Sequence, residues 1–385
     1  MKITFVHLNR YKEIGSTDFY ELTQAVGARL PGRVDVIVAR NGASQIDIAG
    51  PVRLHEVAVK TLHVWTRESV SFFREAAKEI ISLRPDVAIV TFDRGAFLIP
   101  LLVRRSLATQ SPSFLHHVCS VSFASQQWRY RAGNLLTKME SSFFDAVTTL
   151  SWDIATEIYG EHYRKTIEII PIGVNMSRFR FDATAREKLR HRMNVREEQT
   201  VFIYAGTICA LKNCDDLIPA FQQSRSFKAG AQLWILGDGE LRAHLEQQAR
   251  ASGLAESVRM LGRVPFQEMA AYLSAADAAI SHATKDSRSY IQPPIKVLEY
   301  LASSTTVFAS DIPGNRFYLQ EARGCYFYPP TISGLAHAMQ WGASNPKLLR
   351  KARAETREIA KRFDWEKIAS VLIEKLMLIP TRTLG

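Results

Sequence analysis

The sequence predicts an α/β protein of two Rossmann-like domains, each a parallel sheet with helices on both faces. Three observations carry this. Short apolar runs of strand length alternate with amphipathic segments of helix length, so consecutive strands are joined by crossovers and run parallel. The alternation stops at Pro171-Ile172-Gly173-Val174-Asn175, stays absent to Gln199, and then restarts. At 385 residues the chain is long enough for two domains with separate cores.

In the first half, strands are predicted at 3–7, 34–39, 87–91, 113–117, 146–150 and 167–170. Helices are expected between them at 18–30, 68–83, 96–107, 134–144 and 151–159. The apolar run at the N-terminus is too short for a signal peptide and lacks a small-residue cleavage site, so it reads as the first strand. In the second half the strands are 201–205, 232–236, 258–261, 278–281, 306–309 and 325–328, and the helices lie near 215–224, 239–252, 266–275, 294–303 and 331–341. The helix at 294–303 opens on Pro293-Pro294, residues tolerated in a first turn that has no need of their missing N–H. Its Ile295, Leu298 and Ala302 have core spacing, while Lys296 and Glu299 share another face one turn apart. That pair reads either as an exposed ion pair or as a nucleotide site, with the helix start taking an anion and the carboxylate accepting from sugar hydroxyls. A final helical run, 348–377, is interrupted near Phe363-Asp364-Trp365, which predicts a bend. The expected domains are 1–172, with 364–385 packing back on it, and 173–363, including a basic linker at 176–199.

Composition narrows the function classes. Cys119, Cys209, Cys214 and Cys325 are scattered without metal-ligand spacing, which argues for a reducing compartment and against a zinc site. No window approaches eighteen consecutive apolar residues, so membrane contact is expected to be peripheral. The net charge of +11 invites nucleic acid, but much of its excess lies in 178–196 and 347–362, and the basic run from Arg186 to Arg192 has no interleaved aromatics to stack on bases. Arg186, Lys188, Arg190 and Arg192 therefore read as a solvated basic helix face, with attraction to anionic substrates or lipid headgroups second. Trp128, Arg129, Tyr130 and Arg131 form a basic aromatic cluster of the kind found at lipid headgroups, and 98–105 is apolar with a basic end; helix packing is the competing reading.

Six blocks in fixed order carry a family resemblance: Ile170-Pro171-Ile172-Gly173-Val174-Asn175 with Phe179, Tyr204-Ala205-Gly206-Thr207 with Lys212, Leu236-Gly237-Asp238-Gly239-Glu240 with Leu241, Val258-Arg259-Met260-Leu261-Gly262-Arg263-Val264-Pro265, Ala275-Ala276-Asp277-Ala278, and Pro293 to Ser304. The chain resembles the retaining GT4, or glycosyl transferases group 1, family. That resemblance implies GT-B architecture, two Rossmann-like domains with parallel sheets facing across a cleft, and transfer of a hexose-type sugar from a UDP- or GDP-linked donor to a hydroxyl of a glycan or lipid-linked acceptor. It implies no metal and no cofactor, the nucleotide sugar being a substrate, and a place in surface polysaccharide assembly, cytoplasmic and associated with the inner face of the membrane. The alternatives are a GT-B nucleotide-sugar epimerase and a non-catalytic nucleotide-sugar-binding scaffold.

The same resemblance assigns residues. Glu299 would hold ribose hydroxyls, and Ile295 and Lys296 belong to the same donor-binding block. Ile291 stands where a second Glu is usual, leaving Gln292 or the 286–289 loop to hold the sugar. Lys212 would neutralise the diphosphate; Thr207 replaces the usual arginine, and Lys296 or Arg263 would supply the missing charge. Gly237 marks a strand-to-helix turn, Arg263 and Val264 contact the base, and Gly15 lies in the loop approaching the donor phosphate. His117 is the catalytic-site histidine in preference to His116, because alternation lets only one of them face a cleft. Asp93 and Arg94 end a strand on the acceptor side.

Overall fold

A computed structural model describes residues 1–8, 18–40, 50–58, 67–91, 94–122, 126–161, 163, 167–285, 290–319 and 325–379. The chain forms two units, Met1–Gly173 with Trp365–Gly385, and Val174–Asp364.

The first unit runs β1 (Ile3–His7), α1 (Asp18–Arg29), β2 (Val34–Arg40), β3 (Arg53–Ala58), α2 (Arg67–Leu83), β4 (Val87–Thr91), α3 (Leu98–Leu107), β5 (Ser113–Val118), α4 (Gln127–Ser141), β6 (Ala146–Thr149), α5 (Trp152–Tyr159) and β7 (Ile167–Ile169). Its sheet is parallel, in the order β3-β2-β1-β4-β5-β6-β7. The chain steps outward from β1 to β3 and then returns past β1 to β4, so the order reverses between β1 and β4. Ligands of such sheets bind outside the carboxyl ends of the strands at that reversal.

The second unit runs α6 (Ala183–Arg192), β8 (Val201–Ala205), α7 (Leu217–Ser224), β9 (Gln232–Leu236), α8 (Arg242–Ala251), β10 (Val258–Gly262), α9 (Met269–Ala275), β11 (Ala278–Ser281), α10 (Ile295–Ala302), β12 (Thr306–Ser310), α11 (Pro313–Leu319), β13 (Tyr326–Tyr328), α12 (Ile332–Ser344), α13 (Pro346–Lys351) and α14 (Arg353–Ala360). Its parallel sheet has the order β10-β9-β8-β11-β12-β13, with the reversal between β8 and β11. β8, β9 and β12 are buried along their whole length, which is why they read as continuous apolar runs and not as alternating ones. One core holds Trp234, Leu273, Leu298 and Leu301; the other, on the opposite face, holds Phe202, Phe221, Leu245 and Met339. Full burial of each such side chain contributes roughly 1.5–3 kcal/mol.

α15 (Trp365–Leu378) belongs to the first unit. There Arg29 Nε donates to Ser370 Oγ at 2.8 Å, and Lys375 pairs with Glu168 at 2.5 Å.

Several expectations are corrected. β3 is a seventh strand with little apolar alternation: most of its side chains are half-buried or exposed, so it left no period-2 signal. α4 begins at Gln127, which places Trp128–Arg131 inside the helix. The run after residue 346 breaks before Trp365 as expected, and it breaks a second time between Lys351 and Arg353, giving three helices. Arg186 and Arg190 are buried rather than solvated. Both donate to the buried Asp277 carboxylate, at 2.9 and 3.2 Å, and to carbonyls at the end of α9, so cations offset both a carboxylate and a helix C-terminus.

Candidate functional site

At the carboxyl edge of the second sheet, three strand-to-helix turns are stitched together by backbone. Gly206 N donates to Leu236 O at 3.0 Å, Ile208 N to Asp238 O at 3.0 Å, and Gly237 N to Gly262 O at 2.8 Å. The approach is close enough that a Cβ on Gly237 would lie 1.9 Å from Gly206 O, and Gly237 also has φ +134°. The glycine is there to let two chains cross.

Beside these turns, at the β8/β11 reversal, a recess is lined by Lys212, His282, Gln292, Pro294, Lys296 and Asn315. Lys212 ends a short 3-10 turn, Ala210–Lys212, and Lys296 sits in the first turn of α10. Lys296 Nζ lies over the Tyr204 ring, 4.1 Å from its centroid. Burial brings its ammonium down to about 8, and the neighbouring Lys212 charge acts in the same direction, while Glu299 opposes it. Among the described residues neither lysine is ion-paired with a carboxylate. Among the described residues no side chain caps the first turn of α10, Pro294 having no acceptor to offer its N–H groups. The recess therefore brings two cations and a helix start to one place, an arrangement suited to a multiply charged anion.

The surroundings are tied together by side-chain hydrogen bonds. Cys214 Sγ donates to Tyr204 OH at 3.2 Å, and Tyr204 OH donates to Thr207 O at 3.1 Å, which fixes the ring beneath Lys296. His282 bridges Asp216 Oδ2 at 2.9 Å and Tyr328 OH at 3.1 Å. Asn315 accepts from Ser281 Oγ and donates to Ser310 O, both at 2.8 Å, tying α11 to the ends of β11 and β12.

Of the residues assigned by resemblance, Lys212 and Lys296 meet at this recess, and Gln292 lines it where Ile291 does not. Glu299 is half-buried one turn beyond Lys296. Ile295 is only half-buried, and Val297, Leu298, Tyr300, Leu301 and Ala302 form the core face instead. Lys296 is correspondingly no surface lysine: the helix turns it onto Tyr204. Thr207 is exposed and contributes its carbonyl to the Tyr204 and Cys214 bonds. Arg263 is exposed just after the Gly262 turn, and Val264 packs on the core.

In the first unit a row of side chains crosses the carboxyl ends of four strands: His7 on β1, Thr91 on β4, His117 on β5 and Thr148 on β6. His7 Nδ1 lies 2.5 Å from Thr91 Oγ1, and His117 Nδ1 lies 2.7 Å from Thr148 Oγ1. The Thr91 hydroxyl spends its proton on Val6 O, so His7 Nδ1 is the donor and its Nε2 keeps a lone pair. Burial brings both imidazoles down to about 4, His117 adding to the effect on His7, and both are neutral at physiological pH. His116 points to the opposite face, buried on Phe144 and bonded to Ser141. Arg94 turns into its own unit, donating to Gly133 O beside Glu140, and does not stand free for an acceptor. Gly15 and Asp93 lie outside the described residues.

Sequence reading missed His7, Thr91 and His282, each of which ends or follows a strand at the carboxyl edge without a local motif to mark it; Tyr204 stood in a quoted block but was given no role.

Two doubly wound parallel sheets, with the last helix returned to the first unit, make this a GT-B fold. Residues 185–363, most of the second unit, match the family model described as glycosyl transferases group 1. The chain is 27% identical over 250 residues to glycogen synthase of Mycobacterium tuberculosis, covering 64% of this chain and 55% of that protein. It thus spans about half the length of the curated relatives that it matches over most of its own. It is 34% identical over 112 residues, 29% of each chain, to the GDP-mannose-dependent alpha-(1-6)-phosphatidylinositol monomannoside mannosyltransferase of the same organism. In structure it is similar to Anabaena HepE in complex with UDP and glucose, with TM-score 0.76 and 14% identity over 98% of this chain and 100% of that one. The sucrose-phosphate synthase of Thermosynechococcus elongatus gives TM-score 0.76 and 18% identity over 99% and 100%.

Proposed function

We propose that the protein is a metal-independent retaining glycosyltransferase that moves a hexose-type sugar from a nucleotide-diphosphate sugar to a hydroxyl of a glycan or lipid-linked acceptor. The observation that carries this is the convergence of Lys212 and Lys296 on one recess at the sheet reversal, beside the start of α10. The lysines receive the donor diphosphate, with Lys296 standing in for the arginine that Thr207 replaces. Glu299 accepts from the ribose hydroxyls. The acceptor oxygen bonds to the anomeric carbon from the face that the phosphate leaves, the carbon–oxygen bond to phosphate breaks, and the departing diphosphate takes the acceptor proton. No protein nucleophile and no metal is consumed, and the two ammonium groups stabilise charge as it grows on the leaving group. The neutral His7–His117 row belongs to the acceptor side, where uncharged hydroxyls require donors and acceptors without a net field.

The relatives' names support the class: several are sugar transferases, and the HepE complex holds UDP and glucose. A thermal-shift panel of UDP, GDP and ADP sugars is expected to raise the melting temperature for one base only, because a ligand that binds the native state alone stabilises it. With that donor, Glu299→Ala and Lys212→Ala should each lose turnover; normal turnover in both sinks the assignment. Conversion of the donor to an isomer without any acceptor would identify an epimerase instead.

A further inference from the structure

Two cysteines bracket one of the recess lysines, at the ends of the segment Cys209-Ala210-Leu211-Lys212-Asn213-Cys214. The chain turns back on itself between them. Lys212 N donates to Cys209 O at 3.1 Å and Asn213 N to Ala210 O at 2.9 Å, closing a 3-10 turn. Asn213 then takes the left-handed conformation, with φ +50°, which continues the reversal, and its Oδ1 accepts from Thr284 N at 3.3 Å.

The two sulfurs are consequently neighbours. Burial pushes the Cys214 thiol up, while the Tyr204 hydroxyl, the Cys209 N–H and the Lys296 charge act the other way, and the Cys209 sulfur adds to the upward push. A backbone N–H of one cysteine facing the sulfur of the other is the approach that a disulfide requires, since the two Cα atoms must come within about 7 Å. Access separates the pair. Cys209 is partly exposed, whereas Cys214 is buried with its Sγ 3.2 Å from Tyr204 OH and 3.5 Å from Thr207 O. Solvent thus reaches one sulfur and the other stands behind it, the arrangement of a peroxide-reactive thiol and its resolving partner. Among the described residues the two belong to no group of three or more histidine, cysteine, aspartate or glutamate side chains that could hold a metal ion. Cys325 differs: burial pushes it up to about 12, which keeps it a thiol.

We propose that Cys209 and Cys214 are a modification site: on meeting a peroxide they form a reversible disulfide across the Lys212 turn, and the disulfide weakens the hold of the recess on a diphosphate. The Cys209 thiolate attacks one peroxide oxygen and the O–O bond breaks, giving a sulfenic acid and, with the proton that the thiol released, water. The Cys214 sulfur then bonds to the Cys209 sulfur, the S–O bond breaks, and the departing hydroxide takes the Cys214 proton as a second water. Two thiols lose two electrons and one hydrogen peroxide gains them. Cys214 gives up the S–H that it directs at Tyr204 OH, whose ring lies beneath Lys296, and Lys212 becomes part of the closed ring. One covalent bond therefore disturbs both cations. The weakened binding rests on the nucleotide-sugar reading; the disulfide does not.

The full chain is reduced, titrated stepwise with hydrogen peroxide, denatured, alkylated and mapped by mass spectrometry. A disulfide between Cys209 and Cys214 that dithiothreitol reverses is expected, with Cys119 and Cys325 alkylated. Cys214→Ser should instead leave a sulfenic acid on Cys209 that dimedone captures, and Cys209→Ser should leave Cys214 alkylated. Titration calorimetry with inorganic diphosphate reads the recess: oxidation should lower the affinity about tenfold, the scale of one charge-assisted contact. Cys209 is outside the recess lining, so Cys209→Ser should bind diphosphate as the reduced wild type does and ignore peroxide. Free thiols at both positions after peroxide, a disulfide joining two chains, or sulfinic acid at Cys209 with Cys214 still free would overturn the disulfide. Unchanged diphosphate affinity in the oxidised chain would overturn its effect on the recess. A reduced chain that binds no diphosphate would overturn the anion reading of the recess, and the effect with it, while the peptide map still decides the disulfide.

Discussion

The carboxyl edges of the two sheets have the same topology and opposite chemistry. In the second unit the reversal point gathers two ammonium groups, Lys212 and Lys296, on a frame of crossing glycine turns. In the first unit the corresponding edge carries His7, Thr91, His117 and Thr148, hydrogen-bonded in pairs and uncharged. One doubly wound plan thus yields a cationic recess on one sheet and an uncharged edge on the other. Burial does the sorting: it leaves an ammonium charged near neutral pH because lysine starts from a high pKa, and it keeps an imidazole neutral because histidine starts near 6.5.

The contrast can be broken most severely by removing the cations. Lys212→Met with Lys296→Met is expected to lower turnover by about 10³-fold or more, as loss of groups aimed at developing charge does, with little change in circular dichroism. Steady-state kinetics with the identified donor check this.

Next in size is the frame. Gly237→Ala places a Cβ against Gly206 O at a backbone angle that L-residues rarely adopt, and should cost about 3 kcal/mol, read from denaturant unfolding. A wild-type midpoint would show that the turns are not held as closely as described.

Acid separates the two edges. His7 and His117 have pKa values lowered to about 4 from 6.5, so between those values the unfolded chain takes up protons that the folded one refuses. Their full contribution is present above about pH 6.5 and falls as pH drops toward 4, by roughly 3 kcal/mol per imidazole at the limit. His7→Gln should flatten the pH dependence of unfolding in that window, while Lys212→Met should leave it unchanged.

The smallest effect is on the alkaline side. With Lys296 brought down to about 8, its cation is lost as pH rises through that value, and kcat/KM should fall about tenfold per unit above it. Lys296→Arg keeps the charge and should carry the limb upward, because a guanidinium does not titrate in this range.

The sequence made much of this legible and hid the rest for identifiable reasons. Alternation correctly separated His116 from His117, since neighbouring strand residues must face opposite sides. It gave no sign of His7, which meets His117 through β4 and more than a hundred residues of chain. Lys296 and Glu299 were visible as a pair one turn apart, but the Tyr204 ring beneath Lys296 comes from another strand. Arg186 and Arg190 looked solvated because a helix rich in arginine usually is, and nothing near them announces the buried Asp277 that they reach. β3, whose apolar residues Leu54, Val57 and Ala58 do not alternate, is recognisable only from its register on β2.

By itself the sequence determined what depends on near neighbours: strand and helix periods, the break between the halves, the glycine turns and the proline-opened helix. These follow from backbone sterics and hydrophobic spacing, which act over a few residues. The tertiary structure alone decided which lysines share a recess, which histidines lose their charge and which arginines leave the solvent. Those outcomes rest on desolvation and charge at distances of a few ångströms between residues far apart in the chain, and only the assembled sheets bring them together.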